Sequence, residues 1–563
     1  MKVRVYFENN KRYHECDAGT KLINLIENSE CKYPVLAAFV DNELKDLDYE
    51  LYMPHRIRFI DITHPDGRRT YIRSLSFLLQ RCINEMFPKY HLFLNYSLPL
   101  GLYGELRDQE IGEDGLRKVV KLDADEIKAV KKRMNELERA DLRYSKAKLS
   151  SDDAIRLFLK SASEEKANLV NSNGTFFTTV YFLDGYADTF YGPLVPSTKY
   201  LTHYDLVPYD DGFCLQYPSS AQPEYIPPIE FHDKLSEVLS ENSKWLRILG
   251  ARGIGSVNQQ IAGGGAVQLI QIAESLHERK YTNIADKIAA RKERIKLVLI
   301  AGPSSSGKTT TSKRVALQLK VVGLNPVVIE LDNYFLSRDK TPIDENGDFD
   351  FEALNALDLP FLNKQINDLL KGEEVEVPRF DFVAGERSFD GKKIRLGKKD
   401  ILVMEGIHAL NPDLTKEIDN ACKYKIYASA LTSLSIDENN NISTSDNRLL
   451  RRMIRDNSTR GIDPESTIMR WPSVRRGEEK NIFPFQENAD VMFNSSLIFE
   501  FALLKHYAEP LLRRIAPISP AYPEALRLLK FLSYVVALTP DEISNIPPTS
   551  VMREFIGGSS FAH

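Results

Sequence analysis

The first 62 residues alternate apolar and polar positions in the way that strands do. Two strand-like segments lie around a short helical stretch, and two further apolar runs follow at 37–41 and 57–62. We therefore expect a small β-rich domain at 1–62.

The next part of the chain mixes two kinds of spacing. Apolar residues have helical spacing at 75–86 and 123–140, whereas the stretch 174–193 is rich in residues typical of strands. This mixture predicts an α+β domain at 63–230.

The pattern becomes helical after residue 231 and then changes to buried strands. The run KLVLIAG, which ends at Gly302, is apolar throughout, as is typical of a strand buried on both faces of a parallel sheet. Similar runs at 326–331 and 401–404 are separated by helical segments, which predicts a βαβ series. The fold class is therefore multidomain α/β, in which a parallel sheet has flanking helices. We expect a helical connector, the parallel-sheet domain and a carboxyl-terminal helical segment at 231–292, 293–500 and 501–563.

Composition narrows the class of protein. A chain of 563 residues is too long for one hydrophobic core. Hydrophobic residues make up 43% and charged residues 27%, which is typical of a globular protein and argues against a disordered or fibrous one. A net charge of −5 argues against a protein whose main task is to coat nucleic acid.

The cysteines and the apolar runs predict a cytosolic protein. The 5 cysteines are an odd number without a CxxC pair, which indicates free thiols in a reducing compartment. No run reaches the roughly 18 apolar residues of a membrane span, and the first residues lack the apolar core of a signal peptide.

One motif carries specific chemistry. GPSSSGKT follows the buried strand and precedes a helical run at 310–319, which is the context of a phosphate-binding loop. Backbone N–H groups of such a loop hold phosphate oxygens, its lysine reaches the terminal phosphates and its threonine hydroxyl binds Mg²⁺. We therefore predict that ATP and Mg²⁺ are bound here. The nucleotide-binding residues are Gly302, Pro303, Ser304, Ser305, Ser306, Gly307, Lys308, Thr309 and Thr310.

Two carboxylates end the neighbouring strands. Asp332 follows one apolar run and Glu405 another, so a parallel sheet brings both to the edge that holds the loop. Asp332 is the candidate general base, and Thr309, Asp332 and Glu405 are the candidate magnesium ligands. The alternative is that each carboxylate caps the next helix.

Arginine is concentrated in the segment NRLLRRMIRDNSTRGID. Arg448, Arg451, Arg452 and Arg455 share one helical face, which suits a mobile lid over the transferring phosphoryl group. We assign Lys308, Asp332, Arg452 and Arg455 to catalysis. The alternative is a solvated basic face. His408 is a further candidate, although a histidine beside an apolar run is more often structural.

Together these motifs resemble the uridine kinase and phosphoribulokinase family over about residues 295–500. The resemblance lies in GPSSSGKT, LDNYF, PRFDF at 378–382, MEGIHAL and the arginine segment, in this order. It implies an ATP-dependent kinase that transfers the γ-phosphoryl group to a substrate hydroxyl.

The resemblance also implies an acceptor pocket. Glu352, with Asp350 nearby, matches the acidic residue that binds ribose hydroxyls. In the family, a tyrosine and a histidine recognise the pyrimidine base. Phe380 and Gly385 occupy the matching positions in this chain, so the resemblance does not imply selection of a pyrimidine. The acceptor residues that we predict are Glu352, Asp350, Phe380, Arg387 and Arg451.

The amino-terminal half resembles other proteins. Residues 1–62 are similar to the TGS domain, which has a β-grasp fold, and residues 63–230 to the second additional domain of threonyl-tRNA synthetase. The fragments DAGTKLINLI, RSLSFLLQRCINEMFP and DGYADTFYGPLVPST carry this resemblance. The four positions that match the metal-type cluster of the synthetase are Arg73, Phe77, Phe190 and Leu194, which cannot bind a metal together. The amino-terminal half is therefore interpreted as a binding or regulatory module.

Three functions agree with these observations. The leading one is a nucleoside kinase of the uridine type with a small-molecule acceptor and no membrane partner. The second is a kinase of another hydroxyl compound, such as a sugar phosphate, which a substrate panel would distinguish. The third is a regulatory ATPase whose amino-terminal half contacts RNA or the ribosome, which salt-dependent RNA co-purification would test. The sequence does not specify the acceptor or the oligomeric state.

Overall fold

The computed structural model describes residues 1–112, 117–343, 347, 349–381 and 384–561. Phe382, the last residue of the PRFDF motif, lies outside these residues. Within the described ranges, none of the helices combines the length and apolar character that a membrane crossing requires.

A mixed sheet forms the amino-terminal region. The strand order is β2-β1-β7-β4-β5, in which β1 and β7 run parallel, and Val3, Val5 and Phe7 of β1 face the core. Both of the first two strands precede the 3₁₀ helix Leu22–Asn28, whereas the sequence predicted one on either side. The second strand was misplaced because it exposes most of its side chains and so has little apolar alternation. The strands are β1 Lys2–Phe7, β2 Arg12–Asp17, β3 Thr20–Lys21, β4 Ala37–Val40, β5 Glu43–Lys45, β6 Glu50–Leu51 and β7 Arg56–Ile60.

The next region packs helices on two antiparallel sheets, β10-β9-β15-β14 with β8 beside β9, and β11-β12-β13. Its first helix begins at Pro65 rather than at the predicted 75, because a capped and largely polar first turn hides the helical spacing. The elements are α1 Pro65–Met86, β8 Tyr90–Leu98, β9 Gly101–Ile111, β10 Arg117–Val120, α2 Ala124–Arg139, β11 Ser145–Ser150, α3 Ser151–Lys160, α4 Glu164–Asn173, β12 Phe177–Leu183, β13 Tyr186–Asp188, β14 Asp205–Tyr209 and β15 Gly212–Gln216.

The stretch predicted as a connector is helical and contributes to the core of the carboxyl-terminal half. Leu269 and Ile270 pack in one cluster with Leu449 and Phe501. This stretch therefore does more than join two parts of the chain. Its helices are α5 Asp233–Ile248, α6 Ile254–Ala262 and α7 Ala266–Ala289.

A parallel sheet organises the carboxyl-terminal half. The strand order is β17-β22-β16-β23-β24, and the three strands predicted as apolar runs, β16, β17 and β22, are confirmed. The sequence did not identify β23, which contains two lysines, or β24, which is only 4 residues long. The strands are β16 Leu297–Ala301, β17 Asn325–Glu330, β18 Val375–Glu376, β19 Arg379–Asp381, β20 Glu386–Ser388, β21 Lys393–Ile394, β22 Asp400–Glu405, β23 Lys423–Ser429 and β24 Val491–Asn494.

Helices cover this sheet and continue to the end of the chain. They share one hydrophobic cluster that includes residues of α10, α12, α13 and α15. The helices are α8 Lys308–Val321, α9 Leu359–Leu370, α10 Thr444–Thr459, α11 Pro464–Asn481, α12 Glu500–Leu512, α13 Tyr522–Ser533, α14 Pro540–Ser544 and α15 Arg553–Ile556.

The loop between β23 and α10 joins the two halves of the chain. Its Glu438 carboxylate accepts a hydrogen bond from the Glu165 amide at 2.8 Å, and its Asn439 side chain donates to the carbonyl of Leu92 at 2.9 Å. Asn439 also accepts a bond from the ammonium group of Lys166 at 2.6 Å. The loop is therefore held by the α+β region through both main-chain and side-chain groups.

A buried ion pair anchors this contact. The Lys166 Nζ atom lies 2.5 Å from Asp188 Oδ1, and their side chains are 2% and 0% exposed. Burial raises the pKa of Asp188 to about 6, although the Lys166 ammonium opposes that rise. Removal of either partner would leave the other charge buried without compensation.

We expect Lys166→Met to lower the free energy of unfolding by about 3 to 5 kcal/mol, since it leaves the Asp188 carboxylate unpaired. Chemical denaturation followed by circular dichroism measures the change. Lys148→Met, at an exposed position of β11, is the matched control and should have little effect. Adding Asp188→Asn to Lys166→Met should restore part of the loss, and equal losses in Lys166→Met and the control would contradict the role of this pair.

Candidate active site

The loop between β16 and α8 is shaped by one close approach and two unusual backbone angles. A Cβ atom on Gly302 would lie 1.9 Å from the carbonyl oxygen of Ala428, so only glycine fits beside β23. Ser305 and Gly307 have φ angles of +57° and +80°. When residues with left-handed backbone angles alternate with residues in the right-handed region, successive backbone N–H groups point into one concavity. Such a concavity binds anions.

A buried ion pair holds the first part of this loop. The Glu478 carboxylate accepts the Ser304 amide at 2.9 Å and the Arg448 Nη2 atom at 2.8 Å. Arg448 Nη1 in turn donates to the Ser304 carbonyl at 3.2 Å. Burial by itself raises the pKa of Glu478, but the Arg448 guanidinium outweighs it and holds this pKa below the usual value. The pair therefore stays charged.

A second buried ion pair holds the rest of the loop. Arg451 Nη2 donates to Glu500 Oε2 at 2.8 Å and to the Ser495 carbonyl at 2.9 Å. Arg451 Nη1 donates to the Ser305 carbonyl at 3.4 Å, and the Ser495 hydroxyl donates to the Ser306 carbonyl at 2.6 Å. Because the C=O and N–H of a trans peptide point in opposite directions, the bonds to the Ser304 and Ser306 carbonyls turn the Ser305 and Gly307 amides toward the open side of the loop.

These contacts correct the predicted roles of two arginines. Arg448 and Arg451 are 1% and 0% exposed, so neither contacts solvent and Arg451 does not face an acceptor. Helix α10 is therefore not a freely moving lid, because these pairs and its apolar side chains fix it to the core. The buried apolar residues of α10 are Leu449, Leu450, Met453 and Ile454.

The other two arginines of α10 lie beside the loop and are partly exposed. Arg452 Nη1 donates to the Ser304 hydroxyl at 2.8 Å. Arg452 and Arg455 both pair at 3.2 Å with the buried carboxylate of Asp456, and Arg460 pairs with it at 3.4 Å. Positive charge is thus concentrated at one side of the phosphate loop.

The residues at the start of α8 reach toward the edge of the sheet. Lys308 Nζ donates to the Pro303 carbonyl at 3.2 Å, and the Thr309 hydroxyl donates to Glu405 Oε1 at 2.8 Å. Glu405 is the last residue of β22. The lysine, the threonine and this carboxylate therefore meet beside the loop, as the strand pattern predicted.

The predicted base lies two residues past its strand. Asp332 is in the 3₁₀ turn Leu331–Tyr334, after the end of β17. Burial raises its pKa, and Lys308 is the strongest opposing charge. Burial also raises the pKa of Glu405 to about 7, again with Lys308 opposing. Burial thus opposes ionisation of both carboxylates, and the Lys308 ammonium favours it.

The same residues fit a magnesium ion only together with a nucleotide. Among the described residues, no group of three or more histidine, cysteine, aspartate or glutamate side chains could hold a metal ion. Glu405 and the Thr309 hydroxyl form an oxygen pair at 2.8 Å, which is the ligand type that Mg²⁺ prefers. The remaining ligands would have to be water and phosphate oxygens.

The predicted acceptor carboxylate faces the same site. Burial raises the pKa of Glu352 to about 7, and Glu478 adds to this rise while Arg452 and Lys308 oppose it. A Cβ atom on Gly477 would lie 2.5 Å from the Glu352 Cβ, so the missing side chain makes room for Glu352. The Asp350 carboxylate accepts the Glu352 amide at 3.1 Å and helps to orient it.

Two further predicted acceptor residues, Phe380 and Arg387, pack against neighbouring side chains. Phe380 is buried and its ring centroid lies 5.7 Å from that of Phe335. Arg387 donates to Asp358 at 2.9 Å and lies 4.7 Å above the ring of Phe361. Its Nη2 atom is thus paired with the residue that caps α9, whereas its Nη1 atom has no hydrogen-bond partner among the described residues, and the contact of Arg387 with an acceptor stays a prediction.

His408 also takes a structural place. It is 1% exposed, and burial lowers the pKa of its imidazole to about 4. A neutral buried histidine agrees with the structural alternative for this residue.

Sequence reasoning missed three carboxylates that contact the loop or its arginines. They are Glu478, Glu500 and Glu554, and each lies well over one hundred residues beyond the loop. No local sequence pattern identifies them, because a glutamate that pairs with a buried arginine cannot be distinguished in the sequence from a glutamate on the surface. Only the packing of α11, α12 and α15 brings them to the site.

The region around this site is similar to known proteins. The model of the phosphoribulokinase / uridine kinase family matches residues 297–497. A uridine kinase of Deinococcus deserti is 30% identical over 195 residues, which cover 34% of this chain and 84% of that protein. A uridine kinase of Macrococcus caseolyticus is 30% identical over 197 residues, which cover 35% and 86%. A solved "possible uridine kinase" from Bacillus stearothermophilus matches 38% of this chain and 98% of its own at 16% identity, with a TM-score of 0.25.

We expect ATP to bind more tightly at pH 8 than at pH 6 when magnesium is fixed. Because the pKa of Glu405 is about 7, its ionised fraction rises from about one tenth to about nine tenths over this range, and only the ionised form attracts the cation. The dissociation constant of ATP, measured by calorimetry at each pH, tests this. In Glu405→Gln the pH dependence should be lost, whereas Glu352→Gln should retain it. Full pH dependence in Glu405→Gln would show that another group titrates.

Proposed function

This chain belongs to the phosphoribulokinase and uridine kinase family of ATP-dependent phosphotransferases, and we propose that it phosphorylates a hydroxyl group of a nucleoside of the uridine type. The observation that carries the proposal is the meeting of Lys308, Thr309, Asp332 and Glu405 at the carboxyl edge of the parallel sheet, beside the phosphate loop.

Asp332 acts as the general base. Its carboxylate accepts the proton that the attacking hydroxyl loses, and burial prepares it by raising its proton affinity. Lys308 contacts the terminal phosphates and is the charge that most opposes the pKa rise of both acids.

The remaining charges bind the phosphates. Thr309 and Glu405 hold the magnesium shell, and the ion neutralises phosphate charge when it is bound. Arg452 and Arg455 lie where they can meet the transferring group, since both guanidinium groups are partly exposed beside the loop.

Glu352 selects the acceptor by accepting hydrogen bonds from sugar hydroxyls. Its place over Gly477, close enough to Lys308 and Arg452 for those charges to affect its pKa, supports this role. A nucleoside that lacks these hydroxyls leaves the carboxylate without a partner, which weakens binding.

One observation favours the second candidate, a kinase of a sugar phosphate. Gly385 occupies the position at which the family has a histidine that recognises the base. It has a φ of +72°, and a Cβ atom there would lie 2.8 Å from the guanidinium of Arg338. An exposed arginine at this position favours an anionic acceptor over a neutral base.

The amino-terminal half, residues 1–230, is proposed as a TGS-like and synthetase-like binding module without a metal centre. In support, the four positions aligned with metal ligands form a packed cluster: the rings of Phe77 and Phe190 are 5.2 Å apart, and Arg73 donates to the Pro193 carbonyl at 3.2 Å. Leu194 is buried beside them. Contact of this half with RNA, the cytosolic location and the domain boundaries stay predictions.

A substrate panel tests the choice of acceptor. The full chain with ATP and Mg²⁺ should phosphorylate ribonucleosides, and should act less well on their 2′- and 3′-deoxy forms because Glu352 loses a partner. Glu352→Gln should raise the KM for the acceptor about tenfold and leave the KM for ATP nearly unchanged. Turnover of pentose phosphates alone would replace the proposal by the second candidate, and no transfer to any hydroxyl acceptor would contradict both.

Asp332→Asn should lower kcat by about 10² to 10⁴, because an amide of nearly the same size cannot accept the proton. The dissociation constant of ATP at fixed magnesium should change far less, since a metal ligand would instead affect nucleotide binding. Asp413→Asn, at an exposed position of the same half, is the matched control. Lys308→Ala should abolish phosphoryl transfer, because it removes the positive charge that contacts the terminal phosphates. A kcat within about threefold of the wild type would exclude Asp332 as the base and make Glu405 the next candidate.

A further inference from the structure

The carboxyl-terminal segment 550–556 packs against the phosphate loop. Its Glu554 carboxylate accepts two hydrogen bonds from the first turn of α8, one from the Thr310 amide at 3.2 Å and one from the Thr310 hydroxyl at 2.7 Å. Both bonds end on the same oxygen, Oε2. Glu554 thus uses the N–H and hydroxyl groups that the loop motif otherwise presents to an anion.

The surroundings of Glu554 are those of a bound phosphate. The positive end of the α8 dipole lies beside its Oε2 atom. Its other oxygen, Oε1, lies 4.0 Å from Arg455 Nη1. The side chain is almost completely buried, so no more than a small part of the carboxylate meets solvent. An amide, a hydroxyl, a helix amino terminus and an arginine are all groups that stabilise a phosphate oxygen.

A second contact brings the segment onto the loop itself. A Cβ atom on Gly307 would lie 2.3 Å from a methyl carbon of Val551, so the segment touches the loop where glycine allows it. Phe555 lies 5.0 Å below the guanidinium of Arg451, the arginine that holds the loop from its inner side. The segment is therefore fixed relative to the loop, and its place beside Thr310 does not arise from a free end.

We infer that Glu554 is an internal ligand of the phosphate cradle that competes with the nucleotide. The inference rests on the proposed function, because it takes ATP as the ligand of this loop. One anionic oxygen occupies the Thr310 donors at a time, so a nucleotide phosphate must displace the Glu554 carboxylate to reach them. The displacement weakens the affinity for nucleotide.

The segment offers a simple way for the carboxylate to leave. Val551, Met552 and Phe555 are fully buried and anchor the segment, so the carboxylate leaves by rotation of the Glu554 side chain while the helix stays in place. Gly557 and Gly558 follow α15 with φ angles of +86° and +75°, which ends the helix directly after the contact. The competing group is thus a single side chain on a fixed short helix.

Glu554→Gln tests the inference in the full chain. The amide keeps the size of the side chain but loses the negative charge, so it should leave the Thr310 donors more readily. We expect the dissociation constant of ATP at fixed magnesium, measured by calorimetry, to fall about tenfold, as for the loss of one charge-assisted hydrogen bond. Asp541→Asn, which removes the same charge at an exposed position of α14, should bind ATP like the wild type.

The outcomes separate the competing explanations. If Glu554 only caps α8, Glu554→Gln will lower the melting temperature and leave ATP affinity unchanged, which overturns the inference. Weaker ATP binding in the variant also overturns it, since it would make Glu554 a helper of the nucleotide. Glu554→Asp, which keeps the charge but shortens the side chain, should also bind ATP more tightly and serves if the first variant fails to fold. Absence of ATP binding in wild type and variants alike would instead contradict the proposed function.

Discussion

Two buried arginine–glutamate pairs determine the shape of the phosphate loop. Arg448 with Glu478 and Arg451 with Glu500 lie beneath the loop and bind its backbone, directly and through Ser495. An isolated charge of this kind would be costly to bury, but each arginine is paired and also hydrogen-bonded to main-chain carbonyls. These carbonyls are therefore held on the inner side, so the Ser305 and Gly307 amides that follow them face the opposite side, where an anion binds.

The positive charge at the site also explains its acids. Lys308 is an opposing charge for Asp332, Glu352 and Glu405, and burial raises the pKa of all three. Arg452 also opposes the pKa rise of Glu352, and Arg455 and Arg460 oppose that of Asp332, so the protonation of these acids depends on how burial and the nearby cations balance. Binding of a cation and a phosphorylated ligand changes that balance. The acidity of the site and its occupancy are therefore linked through Lys308.

The helix that carries the two arginines is also connected to the amino-terminal half. The loop that ends where α10 begins contains Glu438 and Asn439, whose partners Glu165 and Lys166 lie in the α+β region. A rigid helix with one end at the domain contact and its middle beneath the phosphate loop is a physical connection between the two. Its arrangement gives the amino-terminal half a physical connection to the active site.

The sequence by itself determined the parallel sheet, the phosphate loop and the strand-end carboxylates, because buried strands and short glycine-rich motifs are local patterns. It also placed Arg452 and Arg455 at the loop. Tertiary structure alone decided that Arg448 and Arg451 are buried, that Arg387 pairs with Asp358, and that β23 and β24 complete the sheet. The partners of these residues, such as Glu478 and Glu554, are distant in the chain. A contact of that kind depends on how the helices pack, so it cannot be predicted from the spacing of residue types within one segment.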